Sequence, residues 1–208
     1  MKKIKTYSIY SLILLFSISC QSIETKNYFS EINTKREKKD LAYADSTSSP
    51  LNPIHLNQFT GLEYFDIEPD FKIIANLMAT PEEKAFEMAT STDRKPSYRK
   101  YGILSFKIKN KDFTLAVYQN MDFINDSLYG DHLFVPFQDL TSSKESYGGG
   151  RYLDIIVPRT EQVDLDFNLA YNPYCAYDAR WSCVIPPPEN FLEAKITAGE
   201  KSFSLAEH

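Results

Sequence analysis

The highest density of side chains that could bind or react with a small molecule lies between Tyr147 and Asn190. This block contains three consecutive glycines, an arginine, several carboxylates, the only tryptophan, two cysteines and a triple proline. Pockets for small molecules are usually built from aromatic walls and a few placed polar groups. We therefore predict a site for a small polar ligand, with a carbohydrate or a carboxylate-bearing fragment as the natural guesses. The predicted ligand-binding residues are Arg151, Asp166, Asn168, Tyr171, Asn172 and Glu189.

Two other interpretations of the block stay open. The first is a hydrolase in which two carboxylates, such as Asp166 and Glu189, act as general acid and base. It requires both carboxyl groups to face one cleft. The second is a structural or assembly protein of the cell envelope, in which the polar groups hold the fold together or dock a protein partner. A buried and mutually bonded block favours the structural role, whereas a concave exposed array favours a ligand.

Nothing in the sequence indicates a metal or a cofactor. The glycine run lacks the spacing of a phosphate loop or a dinucleotide fingerprint, and the chain has no serine elbow and no zinc motif. We therefore predict no metal and no cofactor. Cys175 and Cys183 are separated by seven residues, and in an exported protein an oxidised pair is the default for two such cysteines. We predict a disulfide between them, with two buried thiols as the alternative.

The amino terminus has the pattern of an export signal. Three lysines among the first five residues precede a short apolar run, Ile9 to Ile18. This run is too short to span a bilayer, which needs about 20 apolar residues. It leads to Cys20 in a pattern that resembles the lipobox of bacterial lipoproteins, although a plain secretory signal is the alternative. We predict lipid on Cys20, which would anchor the protein to a membrane of the cell envelope, facing the periplasm or the exterior.

The charge of the chain argues against one class of partner. Removal of residues 1–19 leaves 20 basic and 28 acidic residues, a net charge of −8. Proteins that bind nucleic acid need a basic patch to displace counterions. We therefore predict no nucleic-acid partner, and the oligomeric state stays open.

The elements that must position these residues are mainly strands. A moderately amphipathic stretch from Tyr28 to Ala44 predicts an amino-terminal helix. Beyond it, short runs with a period of two, separated by turn residues, predict an antiparallel β-sandwich or a barrel-like domain. The clearest pair is YGILSFKIKN and FTLAVYQN, which we predict to form a β-hairpin. Other predicted strands are PDFKIIANLMA, KAFEMATS, HLFVPFQDL, RYLDIIVP, VDLDFNLAY and FLEAKITAG.

Several blocks of the chain resemble one known family. The segments LFVPFQDLTSSKESYGGGRYLD, LDFNLAYNPYCAYD and CVIPPPENFLEAKITAGEK are similar to the signature blocks of domain of unknown function 1684 (DUF1684), over roughly residues 28–203. The resemblance implies an exported or cell-associated single-domain protein and carries no settled reaction. We accordingly predict a bacterial lipoprotein member, with a signal over 1–19, a tether over 20–27 and one domain over 28–208. The positions that match the polar blocks of the family are Arg151, Asp154, Asp166, Asn168, Tyr171, Asn172, Cys175, Tyr177, Cys183, Glu189 and Asn190.

Overall fold

The computed structural model describes the backbone of residues 7–205 and the side chains of residues 24–205. Residues 1–6 of the predicted signal segment therefore lie outside the described residues. For residues 7–23, which include Cys20, only the backbone is described. The chain divides into two units at Lys39 and Asp40. The region predicted to be a tether, residues 20–27, belongs to a helix in the structure.

A single long helix occupies the amino-terminal part. Helix α1 spans Tyr7–Ala44 and ends at the residue predicted from the sequence. Within it, the Lys35 ammonium lies 2.8 Å from a Glu31 carboxylate oxygen, one helical turn away, an exposed pair of the kind that adds a few tenths of a kcal/mol. None of the described helices is both long and apolar enough to cross a membrane. A second, one-turn helix, α2, spans Pro53–Leu56.

The second unit is built on one sheet of eight strands. The six principal strands follow the order β6-β5-β4-β3-β1-β7, and neighbours that lie side by side are antiparallel. The short strands β2 and β8 pair with β3 and β5, and the β8–β5 pair is parallel. The strands are β1 (Lys72–Ala79), β2 (Phe86–Glu87), β3 (Ser97–Ile108), β4 (Lys111–Asn120), β5 (His132–Asp139), β6 (Arg151–Ile156), β7 (Gln162–Asp166) and β8 (Phe191–Leu192).

The predicted hairpin is present as β3 and β4. Lys109 and Asn110 connect the two strands, and both have positive φ angles, 46° and 65°. Two consecutive left-handed residues match the type I′ turn, whose twist fits the right-handed twist of the strands. The register then pairs Phe106 with Phe113 and Leu104 with Leu115. The alternation read from the sequence therefore puts these side chains in the core.

The sheet curls into a half-barrel around one main core. This confirms the mainly β, antiparallel class and selects the barrel-like alternative over the sandwich. The core side chains come from alternate positions on each strand, as the period of two requires; Leu104, Leu115, Val135 and Leu165 have no exposed surface. Strands β6 and β7 are the two edges of the sheet. The line along which these edges face each other is the seam, and it is not closed by a strand ladder.

Three predicted strands are shorter than the sequence indicated. KAFEMATS contributes only β2, and FLEAKITAG contributes only β8. VDLDFNLAY stops at Asp166, because residues 167–169 turn into a 3-10 helix that the Asp166 carboxylate caps by accepting a hydrogen bond from the Asn168 amide, 3.0 Å. A strand over all of VDLDFNLAY would put Asp166 and Asn168 on one face, but side chains after the strand end at Asp166 no longer alternate. Further 3-10 turns lie at Pro69–Phe71, Met121–Phe123, Tyr174–Ala176 and Pro188–Asn190.

Candidate functional site

Arg151 is a buried structural group. It is the first residue of β6, and strand alternation directs Arg151 and Leu153 into the domain while Asp154 faces solvent. Only 1% of Arg151 is exposed. Its guanidinium lies 2.6 Å from a carboxylate oxygen of Asp139, at the end of β5. A buried Arg–carboxylate pair of this kind costs desolvation that good geometry and further hydrogen bonds must offset.

Those further bonds come from the carboxy-terminal segment. Arg151 donates to the backbone carbonyls of Ile196, at 2.8 Å, of Glu200, at 3.2 Å, and of Ala198. The ring of Phe137 lies 5.4 Å from the guanidinium carbon. Burial lowers the pKa of Arg151, and the charge of Asp139 counteracts it. Arg151 thus ties β5, β6 and the carboxy-terminal segment together, and it is not available to bind a carboxylate-bearing ligand.

The glycine run that precedes Arg151 is a packed turn. The Gly150 amide donates to the Tyr147 carbonyl, 3.1 Å, and Gly150 has a φ of 90°. A Cβ atom there would lie 2.6 Å from the Phe137 carbonyl oxygen. Glycine is therefore required for both its conformation and its contact. The run positions Arg151 rather than forming a cradle for a ligand.

Asn172 is also buried, in a second polar network. One carboxylate oxygen of Glu200 accepts from the Asn172 amide, 2.7 Å, and from the Tyr177 hydroxyl, 2.6 Å. The Asn172 carboxamide donates to the Lys201 carbonyl, 2.7 Å. Burial, followed by the charge of Glu200, raises the pKa of Tyr177 well above its ordinary value. This network fixes the chain after β7 to the carboxy-terminal segment.

The carboxamides of Asn168 and Asn190 each hydrogen-bond to both backbone groups of one residue in another segment. The Asn168 carboxamide accepts from the Glu68 amide, 2.9 Å, and donates to the Glu68 carbonyl, 2.8 Å. Asn190 makes the same pair of bonds with Ala116, at 2.7 and 2.9 Å, and also donates to the Pro136 carbonyl, 2.6 Å. Both carboxamides are buried. They satisfy backbone groups that would otherwise be left unpaired inside the protein.

Asp166 and Tyr171 meet in one cavity, which we call the seam cavity. It lies where β6 and β7 face each other and has a volume of about 220 Å³. The Tyr171 hydroxyl donates to an Asp154 carboxylate oxygen, 2.6 Å. Burial, followed by the charge of Asp154, raises the pKa of Tyr171 well above its ordinary value. The lining residues are Leu153, Asp154, Ile155, Asp164, Leu165, Asp166, Leu169 and Tyr171.

Glu189 lies elsewhere, on the side of the sheet formed by β3 and β4. Its carboxylate lies 2.7 Å from the Lys100 ammonium and accepts from the Tyr118 hydroxyl, 2.9 Å. The hydrogen bond from Lys100 lowers the pKa of Glu189. The Glu189 side chain remains 49% exposed, so the pair contributes little to stability.

Asp166 and Glu189, the proposed hydrolase pair, are engaged in different places. Asp166 lines the seam cavity, and Glu189 is not among the residues that line it. The Glu189 carboxylate is instead held by Lys100 and Tyr118. The seam cavity therefore does not provide the common cleft that the hydrolase hypothesis requires, and the hypothesis stays a prediction.

Cys175 and Cys183 lie side by side, and both are free thiols in the structure. The Cys175 amide donates to the Cys183 sulfur, 3.0 Å. Their proximity agrees with the spacing argument, and the disulfide itself stays a prediction. Within the part of the chain that the structure describes, no group of three or more His, Cys, Asp or Glu side chains is arranged to hold a metal ion.

Of the six predicted ligand-binding residues, Asp166 and Tyr171 line the seam cavity together. The predicted set omitted two polar residues of the seam cavity, Asp154 and Asp164. The outward position of Asp154 on β6 follows from the alternation. The structural partners Asp139 and Glu200 were also missed, because they lie on other elements: Asp139 ends β5, and Glu200 belongs to the carboxy-terminal segment. Two other surface cavities, near Met78 and Thr160 and near Glu68 and Thr197, contain none of the six residues.

Comparison with known proteins agrees with the fold and the blocks described above. Residues 57–201 match the family described as "Protein of unknown function (DUF1684)". The solution NMR structure of an uncharacterised protein from gene locus rrnAC0354 of Haloarcula marismortui is similar, with 34% identity and a TM-score of 0.66. The similarity covers 86% of this chain and 96% of the archaeal chain. A search of the curated proteins gives no match. The chain belongs to the DUF1684 family.

Proposed function

We propose that this protein is a lipid-anchored domain of the bacterial cell envelope that binds a small polar molecule in the seam cavity. The observation that carries the proposal is the meeting of Asp154 and Tyr171 with Asp166 in one cavity, at the open edge of the sheet. Apolar side chains beside a few convergent polar groups are how small-molecule pockets are built. The two edge strands supply both kinds of residue.

The chemistry of the seam cavity favours a ligand that donates hydrogen bonds. Its polar lining consists of three aspartates and the Tyr171 hydroxyl, and the cavity lining contains no Arg or Lys. Carboxylates accept hydrogen bonds from hydroxyl and ammonium groups. Leu153, Ile155 and Leu169 offer an apolar surface to the carbon skeleton. A small sugar, amino sugar or amine fits this lining better than a carboxylate-bearing molecule, and the volume limits the bound portion to about one ring.

A ligand panel with matched variants tests the binding proposal. We expect glucose, glucosamine or putrescine to raise the melting temperature of the wild-type domain, and Asp166→Asn and Tyr171→Phe to reduce the apparent affinity at least tenfold. Asn caps a helix about as well as Asp, so Asp166→Asn keeps the fold while it removes the charge. Asp112→Asn, on the exposed end of β4, is the control and should bind normally. No shift with any of the three compounds, or equal shifts in the Asp166 variant, would contradict the proposal.

Anchoring is tested separately from binding. In a bacterial host supplied with labelled palmitate, we expect the full chain to carry label and to sediment with membranes. Cys20→Ser should lose the label and the sedimentation, because the lipobox-like pattern puts the acylated thiol at that position. A wild-type chain that stays unlabelled would show that the export signal is a plain secretory one. Neither result affects the seam cavity, so the two parts of the proposal can fail independently.

The structural or assembly role is the second candidate, supported by a specific observation. Arg151, Asn168 and Asn172 are buried, and each is bonded to the backbone of the same domain. This is the arrangement that favours a structural role for these particular positions. For docking of a protein partner, the supporting feature is an exposed apolar group between β4 and β5, Phe123, Leu128 and Tyr129.

A further inference from the structure

Cys175 and Cys183 form a closely packed pair whose two sulfurs differ in environment. Cys175 is half-buried in the 3-10 turn Tyr174–Ala176, whereas Cys183 is buried. The Cys183 backbone is held by Ser91, whose hydroxyl accepts from the Cys183 amide, 3.1 Å, and whose amide donates to the Cys183 carbonyl, 2.8 Å. The more exposed sulfur is thus on a short turn, and its neighbour is on a fixed segment.

Each sulfur has a hydrogen-bond partner outside its own side chain. The Tyr147 hydroxyl lies 3.7 Å from the Cys175 sulfur, and the Cys175 amide donates to the Cys183 sulfur, 3.0 Å. The hydrogen bond from Cys183, followed by smaller contributions that include Tyr147 and Ser91, lowers the pKa of Cys175 to about 7. The same hydrogen bond raises the pKa of Cys183. The other charged or titratable groups that act on the pair are Tyr152 and Arg94.

This asymmetry is the one that thiol–disulfide exchange requires. The thiolate is the attacking species, and an attacking thiol is most effective when its pKa lies near the ambient pH. The resolving thiol must stay protonated until the first step is complete. A small disulfide can reach the half-buried Cys175 sulfur, whereas the Cys183 sulfur is buried behind it.

We propose that Cys175 and Cys183 are a thiol–disulfide exchange site, with Cys175 as the attacking thiol and Cys183 as the resolving thiol, for a low-molecular-weight disulfide such as oxidised glutathione. Cys175 attacks one sulfur of the disulfide and a mixed disulfide forms, while one thiolate leaves. Cys183 then attacks the Cys175 sulfur, an internal disulfide forms, and the second thiolate leaves. The two protons of the protein dithiol end on the two released thiols, so one disulfide is reduced for each one formed.

The first step itself prepares the second. The raised pKa of Cys183 has as its largest cause the hydrogen bond that it donates to Cys175. Once Cys175 is in a mixed disulfide it no longer carries a thiolate charge, and this cause disappears. Cys183 then ionises more readily beside the sulfur that it attacks. The reverse sequence, with Cys183 first, would require a buried thiol to reach the small disulfide.

The test uses the full chain with Cys20→Ser in every variant, so that only the two thiols of the pair react. With oxidised glutathione at pH 7, we expect an internal disulfide in the parent chain and a stable mixed disulfide, carrying one glutathionyl group, in Cys183→Ser. Cys175→Ser should form little adduct. Iodoacetamide should alkylate Cys175 of Cys183→Ser with an apparent pKa below that of the unfolded chain, because the Tyr147 hydroxyl remains beside the Cys175 sulfur.

Tyr147→Phe tests whether Cys175 is an activated thiol or merely lies beside Cys183. The variant removes the hydroxyl next to the Cys175 sulfur. In the parent dithiol we expect it to raise the apparent pKa of Cys175 alkylation and to slow the alkylation at pH 7 about two- to fivefold, while circular dichroism shows the fold retained. In the folded parent chain, iodoacetamide should alkylate Cys175 about five- to tenfold faster at pH 7 than in the unfolded chain. This factor allows for the lower intrinsic nucleophilicity of a thiolate whose pKa is lowered. Equal rates in folded and unfolded chains, or no mixed disulfide in Cys183→Ser, would overturn the proposal.

Discussion

Replacement of Arg151 by methionine is expected to lower the free energy of unfolding by about 3–5 kcal/mol, because it leaves the carboxylate of Asp139 buried without a countercharge. Asp139 is 2% exposed, and its ion pair with Arg151 is fully enclosed. The carbonyls of Ile196 and Ala198 also lose a donor. For a domain of this size the loss corresponds to a fall of roughly 6–20 °C in melting temperature. Urea unfolding followed by circular dichroism measures it.

The double variant shows whether the charge is the cause. Asp139→Asn keeps an acceptor for the Thr141 amide, which Asp139 binds at 2.5 Å, and removes the negative charge. Combined with Arg151→Met, we expect it to recover about 1–3 kcal/mol relative to Arg151→Met alone, since coupled pairs deviate from additivity by that amount. Equal stability of Arg151→Met and the wild type would contradict the structural role of Arg151.

Replacement of Asn190 by alanine is expected to cost about 2–5 kcal/mol. Asn190 has no exposed surface, and its carboxamide satisfies the Ala116 amide and two backbone carbonyls, those of Ala116 and Pro136. Each buried polar group left without a partner costs about 1–3 kcal/mol, partly relieved where water enters. Its neighbour Glu189 provides the control, and Glu189→Gln should cost less than about 1 kcal/mol, because it keeps an acceptor for the Tyr118 hydroxyl and the bond to Lys100 that it weakens is half-exposed. Similar losses of unfolding free energy in the Asn190 and Glu189 variants would contradict the structural role of Asn190.

The alternation of β6 shows what the sequence could predict. A period of two correctly placed Arg151 and Leu153 on one face and Tyr152 and Asp154 on the other. It could not say that the face bearing Arg151 is the interior, because a lone arginine in a strand is usually read as exposed. Its partners, Asp139 and the carbonyls near Ala198, come from other elements. The pairing of β5 with β6 brings Asp139 beside Arg151, and the packing of the carboxy-terminal segment adds the carbonyls.

The seam cavity also could not be predicted from local patterns, because it depends on the order of the strands in the sheet. Strands β6 and β7 are consecutive in the chain, and consecutive antiparallel strands usually pair. Here they are instead the two edges of the curled sheet. Asp154 and Tyr171 meet because Tyr171, which follows β7 in the chain, makes an antiparallel bridge to Tyr152 of β6. Local patterns do not encode that pairing. The proximity of Cys175 and Cys183 was predicted, because seven intervening residues suffice to bring two side chains together.

The central claim is that the polar block divides in two: buried groups such as Arg151 hold the fold, and Asp154, Asp166 and Tyr171 bind a ligand at the seam. Amide chemical-shift mapping of the 15N-labelled protein, titrated with glucose, glucosamine and putrescine, tests it most directly. We predict saturable shifts at residues 153–155 and 164–171, which are lost in Asp166→Asn. Shifts confined to the Glu189 and Lys100 region, or no saturable shift with any of the three compounds, would contradict the claim.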